Sequence, residues 1–191
     1  MLYKSSNLES HLILGCKSND YIVTFPNDDP KAFSHLVQWM HTGKVATDSI
    51  HRGGPPNAKD LLMTTALLAD IYLMADRLGM DAVLYILLEK LEQTFDLWPV
   101  GDTGTCLGPQ TILHVRYFLP ENDEEASKSE LWRVLMKEMC RAFTSEVRPD
   151  FEAYQACFEI SAFKHIVANA MADKIISSIG RDADIAIQDS S

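Results

Sequence analysis

The chain has 191 residues, 47% of them apolar, and a formal charge of −10 from 27 acidic and 17 basic side chains. That length fits one or two globular domains with a core of their own. The acid is heavier toward the carboxyl end and no cluster of Lys and Arg with interleaved aromatics occurs, which excludes a reader of phosphate backbones, so nucleic acid is not an expected partner. The first residues, MLYKSSNLESHLIL, lack the charged start, long apolar middle and small-residue cleavage site of a secretory signal. The longest apolar stretch, residues 61–74, is interrupted by Thr64, Thr65 and Asp70 and is shorter than the roughly 18 residues a span requires, so no membrane partner is expected either. Cys16, Cys106, Cys140 and Cys157 are widely separated, with no C-x-x-C pair, which fits reduced, buried thiols in a cytoplasmic or nuclear protein.

In chain order, the first clear element is Ile22 to Phe25, a β-branched and aromatic run of strand length closed by the turn formers Pro26, Asn27 and Asp28. Asp29 can accept hydrogen bonds from the free N–H groups of a helix, and Pro30 suits its first position, where a missing donor costs nothing. Phe33, Leu36, Val37 and Met40 then fall at i, i+3, i+4 and i+7, a stripe expected to face a core, with Lys31, Ser34, Gln38 and His41 facing away. Gly43 ends the helix. The polar stretch to Pro56 reads as a loop, Asn57 as the cap of a helix from Ala58 to Leu78, and Gly79 as a C′ glycine. That helix has little polar circumference and should be central. Asp81 reads as the cap of a following helix over 82–94, packed against its predecessor through Val83, Leu84, Leu87 and Leu91.

Residues 22–43 and 67–80 carry a family resemblance. A strand, an Asp-Asp-Pro-x-Ala-Phe helix start, an apolar-apolar-x-Trp helix through Trp39 and a Thr-Gly stop resemble the middle of a BTB/POZ domain. The run from Leu67 through Ala69, Asp70, Ala75, Asp76, Leu78 and Gly79 to Met80 is similar to the helix that follows in that family, especially in fungal members. The resemblance spans roughly residues 1–95 and implies a protein-interaction domain whose partners include a second copy, another BTB protein or, in adaptors, a cullin scaffold of ubiquitin ligases. The hairpin and first helix that normally open the domain have no counterpart here. Nor does the stretch Leu12-Ile13-Leu14-Gly15-Cys16 carry the glutamate of the adaptor motif. The expected fold class is therefore α+β and predominantly α-helical, with a small residual β element. Partner contacts are expected on the outward positions around His35, Gln38 and His41 and along the edge of the strand, at Ile22 and Thr24, which could accept a partner strand.

Residues 96–109, rich in Gly and Pro, read as a linker to a second helical region over 110–179. Its first helix would start near Pro109 and carry Ile112, Leu113, Val115 and Tyr117. The acidic stretch PENDEEASK at 120–128 reads as a solvated loop, and Ser127 with Glu130 as a capping box for a helix reaching about Phe143. Ser161 would cap a helix over 162–176, and residues 180–191 read as a disordered tail opened by Gly180. No phosphate loop, Gly-x-Ser-x-Gly or His-Glu-x-x-His occurs, and no two of the six histidines sit at i, i+3 or i+4. No catalytic residue, metal ligand or cofactor is expected. Trp39, Trp98 and Trp132 read as core or partly buried anchors.

Overall fold

The computed structural model describes residues 29–45, 56–98 and 104–188, with side chains through 178. They form seven α-helices and one 3-10 helix: α1 (Pro30–Thr42), α2 (Ala58–Arg77), α3 (Asp81–Asp96), α4 (Pro109–Phe118), α5 (Asp123–Ala126), α6 (Glu130–Thr144), η1 (Gln155–Glu159) and α7 (Ser161–Gln188). No strand occurs among the described residues, so the observed architecture is helical. The expected strand over 22–25, with Ile22 and Thr24, lies outside them.

α2 occupies the centre. Its run from Leu67 to Ala75 is almost wholly apolar, and only Asp70 in that run is not buried. Such a helix is stable only when surrounded. α1, α3 and α4 pack against it. Asn57 caps its start by accepting from the Asp60 amide at 2.9 Å. At the other end Gly79, at φ +68°, donates to the Asp76 carbonyl at 3.1 Å while Met80 donates to Ala75 at 2.9 Å, the paired bonds of a Schellman turn. That turn reverses the chain into α3, whose Val83, Leu87, Leu91 and Phe95 meet α2. Asp81 is the first residue of α3 and not its cap, since Met80 occupies the cap position without a side-chain bond. There the acid still complements the helix dipole.

Several expectations for the carboxyl half are corrected. Residues 104–108 are no free tether: Thr105, Cys106 and Leu107 are buried against the helices. The buried side chains of both halves form one continuous cluster, from Ala32 and Leu68 to Phe143, Phe163 and Val167. The acidic stretch after Pro120 is folded, because Arg116 donates to the Pro120 and Glu121 carbonyls at 2.5 and 2.7 Å and to Asp123 at 3.1 Å, while Asn122 caps the short α5. Ser129, not Ser127, caps α6, accepting from the Trp132 amide. Ser127 instead donates back to Glu124. α7 runs through Gly180 to Gln188 where a disordered tail was expected, since one glycine costs a helix only about 1 kcal/mol. Phe143 is the hub on which Phe151, Tyr154, Phe158 and Phe163 converge, ring centroids 5.0–6.3 Å away, fastening η1 and α7 to α6.

Candidate functional site

α1 holds most of the residues singled out for partner contact. Asp29 accepts from the Lys31 amide at 2.9 Å, Pro30 follows at the first helical position, and Gly43 at φ +68° donates to the Trp39 carbonyl at 2.7 Å, so both ends are built as the sequence predicts. The phase differs. The buried side chains are Ala32, His35 and Leu36, with Trp39 packed beside them, while Phe33 is 45% and Met40 67% exposed. Of the predicted core stripe of Phe33, Leu36, Val37 and Met40, Leu36 is buried as expected and Val37 partly so, but the buried face is centred about 100° away, one residue of helical rotation, which leaves Phe33 and Met40 exposed. The short Ala32 allows α1 to approach α2 closely, which a face led by Phe33 would not. His35 is accordingly corrected from an outward contact to a buried ring at 9% exposure, whereas Gln38 and His41 are exposed as expected. Burial first, then the Lys31 charge, lowers the His35 pKa, with Asp29 opposing. Its Nδ1 has no hydrogen-bond partner in the described structure, which favours the neutral imidazole.

The second matched segment lies in the core. Ala69 and Ala75 are fully buried, and Leu78 and Gly79 form the turn into α3. Asp70 reaches His114 of α4, Oδ1 to Nε2 2.8 Å, and so joins the two halves of the chain. Burial raises the Asp70 pKa against the lowering effect of His114, and the Asp29 charge adds to the rise, which places the start of α1 near this pair. Asp76 is likewise raised by burial and by Asp81.

Two features were not anticipated. The first is a polar clasp on residues 105–109. The Thr105 hydroxyl donates to Glu138 Oε1 of α6 at 2.5 Å and accepts from the Leu107 amide at 3.2 Å. Glu138 is buried, its side chain 2% exposed, and Arg141 donates to both its oxygens at 2.7 Å. The Cys106 thiol points to the Thr94 carbonyl of α3 at 3.8 Å, Tyr154 donates to Leu107 at 2.6 Å, and the Cys157 thiol lies 3.7 Å from the Pro109 carbonyl. Helical phase held the signal for this, because Leu131, Leu135, Glu138 and Ala142 share one face of α6. The second is an open groove of about 740 Å³ between α3 and α6, with Ile166 of α7 in its lining.

Neither feature has the makings of covalent chemistry. Burial pushes the Cys106 thiol up to about 12 and Cys157 to about 11, and raises Cys140 as well, the reverse of an activated nucleophile. Among the described residues no three His, Cys, Asp or Glu side chains gather where they could hold a metal ion, and no helix is long and apolar enough to cross a membrane. Comparison with protein-family models, with curated proteins and with solved structures gives no match, so the reading of the chain rests on its own residues and geometry.

Proposed function

We propose that this chain is a non-catalytic protein-interaction module of BTB/POZ type that works by surface complementarity and associates with a second copy through the outer face of α1. The observation that carries the reading is the stripe of Phe33, Val37 and Met40. It has the spacing of a buried face, yet packing within the chain leaves Met40 67% and Phe33 45% exposed. An apolar stripe at helical spacing on a surface marks a site of association more often than chance does. Charge favours a like partner at this face, since α1 contains no carboxylate from Pro30 to Thr42 in a chain that is otherwise strongly acidic. Two copies can meet there without apposing carboxylates, with Gln38 and His41 at the rim. The residue resemblance of segments 22–43 and 67–80 supports the same class.

The test is sedimentation velocity of the full chain from about 1 to 100 μM, a range that spans affinities of roughly −8 to −5 kcal/mol. Wild type is expected to shift from monomer to dimer, and Met40→Glu to remain monomeric with an unchanged thermal transition. A monomer throughout the range, or a dimer that Met40→Glu leaves intact, refutes association by this face.

A further inference from the structure

The groove between α3 and α6 is chemically unlike the α1 face. Its lining is largely apolar, with Trp132 and Met136 of α6 buried and Leu88 of α3, Val134 of α6 and Ile166 of α7 half-buried. Its rim is charged, and the charges are unequal. The two cations on the α6 bank are already engaged: Arg133 lies 2.6 Å from Glu130, and Lys137 reaches across the mouth to Glu92 of α3 at 2.9 Å. Glu89 accepts from the Gln93 side-chain amide at 3.2 Å, and the lining sets three carboxylates, Glu89, Glu92 and Glu130, against two cations. Glu89 and Glu92 stand at i and i+3 on α3, two carboxylates along one wall. The strap of Lys137 and Glu92 is exposed at 78% and 48%, and ion pairs so placed are readily exchanged for others.

We propose that this groove receives a cationic amphipathic helix from another protein, its apolar stripe on Leu88, Val134 and Ile166 and its Lys or Arg flank on Glu89 and Glu92. Helix-in-groove docking reads i, i+3, i+4 and i+7 anchors, and a pair of carboxylates at helical spacing matches a basic flank of the same period. Two copies meeting groove to groove would set acid against acid at this rim, which disfavours that pairing as the occupant. The net charge also draws a basic partner in from a distance. The proposal is independent of the α1 face, which lies on a different helix and has no acidic wall.

The experiment is fluorescence anisotropy on the full chain with a labelled synthetic 16-residue helix of Leu and Lys, Leu at the stripe positions. A scrambled peptide of the same composition and a Leu/Glu version serve as comparisons. The striped Lys peptide is expected to bind one to one and saturably, the scrambled one at least tenfold more weakly, and the Glu version not at all. Glu89→Gln with Glu92→Gln should weaken binding about fivefold, as two exposed charge pairs would. Glu146→Gln with Glu152→Gln, the same charge change on exposed residues outside the groove lining, should alter it less than twofold. Val134→Arg, folded by its thermal transition, should weaken it at least tenfold. Equal binding of the striped and scrambled peptides, or equal loss in the two glutamine pairs, would overturn the proposal in favour of attraction to net charge alone. A wild-type dimer that Val134→Arg dissociates and Met40→Glu does not would also overturn it, and would make the occupant a second copy.

Discussion

Replacing Thr105 by Val tests whether the 105–109 segment is clamped or merely passes by. The substitution keeps shape and removes the hydroxyl. Two bonds go with it: the donation to the buried Glu138 carboxylate at 2.5 Å and the acceptance from the Leu107 amide at 3.2 Å. A hydrogen bond to a charged group is worth about 1.5–3 kcal/mol, and a buried amide left without a partner costs about 1–3 kcal/mol. Partial relaxation keeps the two from adding in full, so the expected loss is about 2–4 kcal/mol, a large share of the ~5–15 kcal/mol that holds such a domain together. In urea, at a slope of about 2 kcal/mol/M, the midpoint moves down by about 1–2 M. Thr105→Ser keeps the hydroxyl and loses one buried methyl, which costs about 1 kcal/mol. The assay is urea unfolding followed by far-ultraviolet circular dichroism, with a double-mutant cycle of Thr105→Val and Glu138→Gln expected to show coupling of at least about 1 kcal/mol. A midpoint for Thr105→Val within about 0.2 M of wild type, near-zero coupling, or equal losses for the Val and Ser variants would refute the clamp.

Other outcomes follow from the same geometry. Because burial lowers the folded pKa of His35 below its ordinary value of about 6.5, the unfolded chain binds that proton more tightly; the associated stability is complete above about pH 6.5 and is lost as pH falls from there toward the folded value. His35→Leu should therefore lose less urea stability than wild type between pH 7.5 and 5.5, and identical pH slopes would count against a buried neutral ring. Gly79→Ala places a Cβ at φ +68° and should cost about 1–2 kcal/mol, whereas Gly108→Ala, at φ −70° with Leu62 Cδ2 3.5 Å from the new carbon, should stay within about 0.5 kcal/mol in the same unfolding assay. Mass-spectrometric mapping of iodoacetamide labelling at pH 8 should find Cys106 and Cys157 modified only at the rate of global unfolding, because burial holds both as thiols; rapid labelling of either in native buffer would contradict their burial.

Local signals in the sequence identified much of the helical framework. Asp29, Pro30, Gly43, Asn57 and Gly79 each occupy the cap or turn their chemistry suits, because a cap depends on a few adjacent residues. Rotational phase was less legible. In α1 the larger residues suggest one face, but the neighbouring helix accepts the face with the small Ala32, so tertiary fit overrode apolar pattern. The segment after Asp96 reads as a spacer because it is rich in Gly and Pro, whereas the burial of its residues 105–107 depends on Glu138, some thirty residues later, and on Tyr154 later still. Contacts across such separations leave little trace in a local window. The same holds for the pairing of Asp70 with His114, since nothing local in the sequence links the two.

The clasp on residues 105–109 also bears on how this chain can be divided. Cutting between Asp96 and Pro109 would part α1 to α3 from the helices that complete their core, exposing Leu61, Leu68 and Leu91 on one piece and Ile112, Leu131 and Phe143 on the other. Neither piece is then a natural unit for expression, and a truncation at residue 95 chosen for its family resemblance is expected to aggregate. Produced together, the two pieces should reassemble without a covalent link, the way split reporters do, because each supplies the missing half of the other's interior.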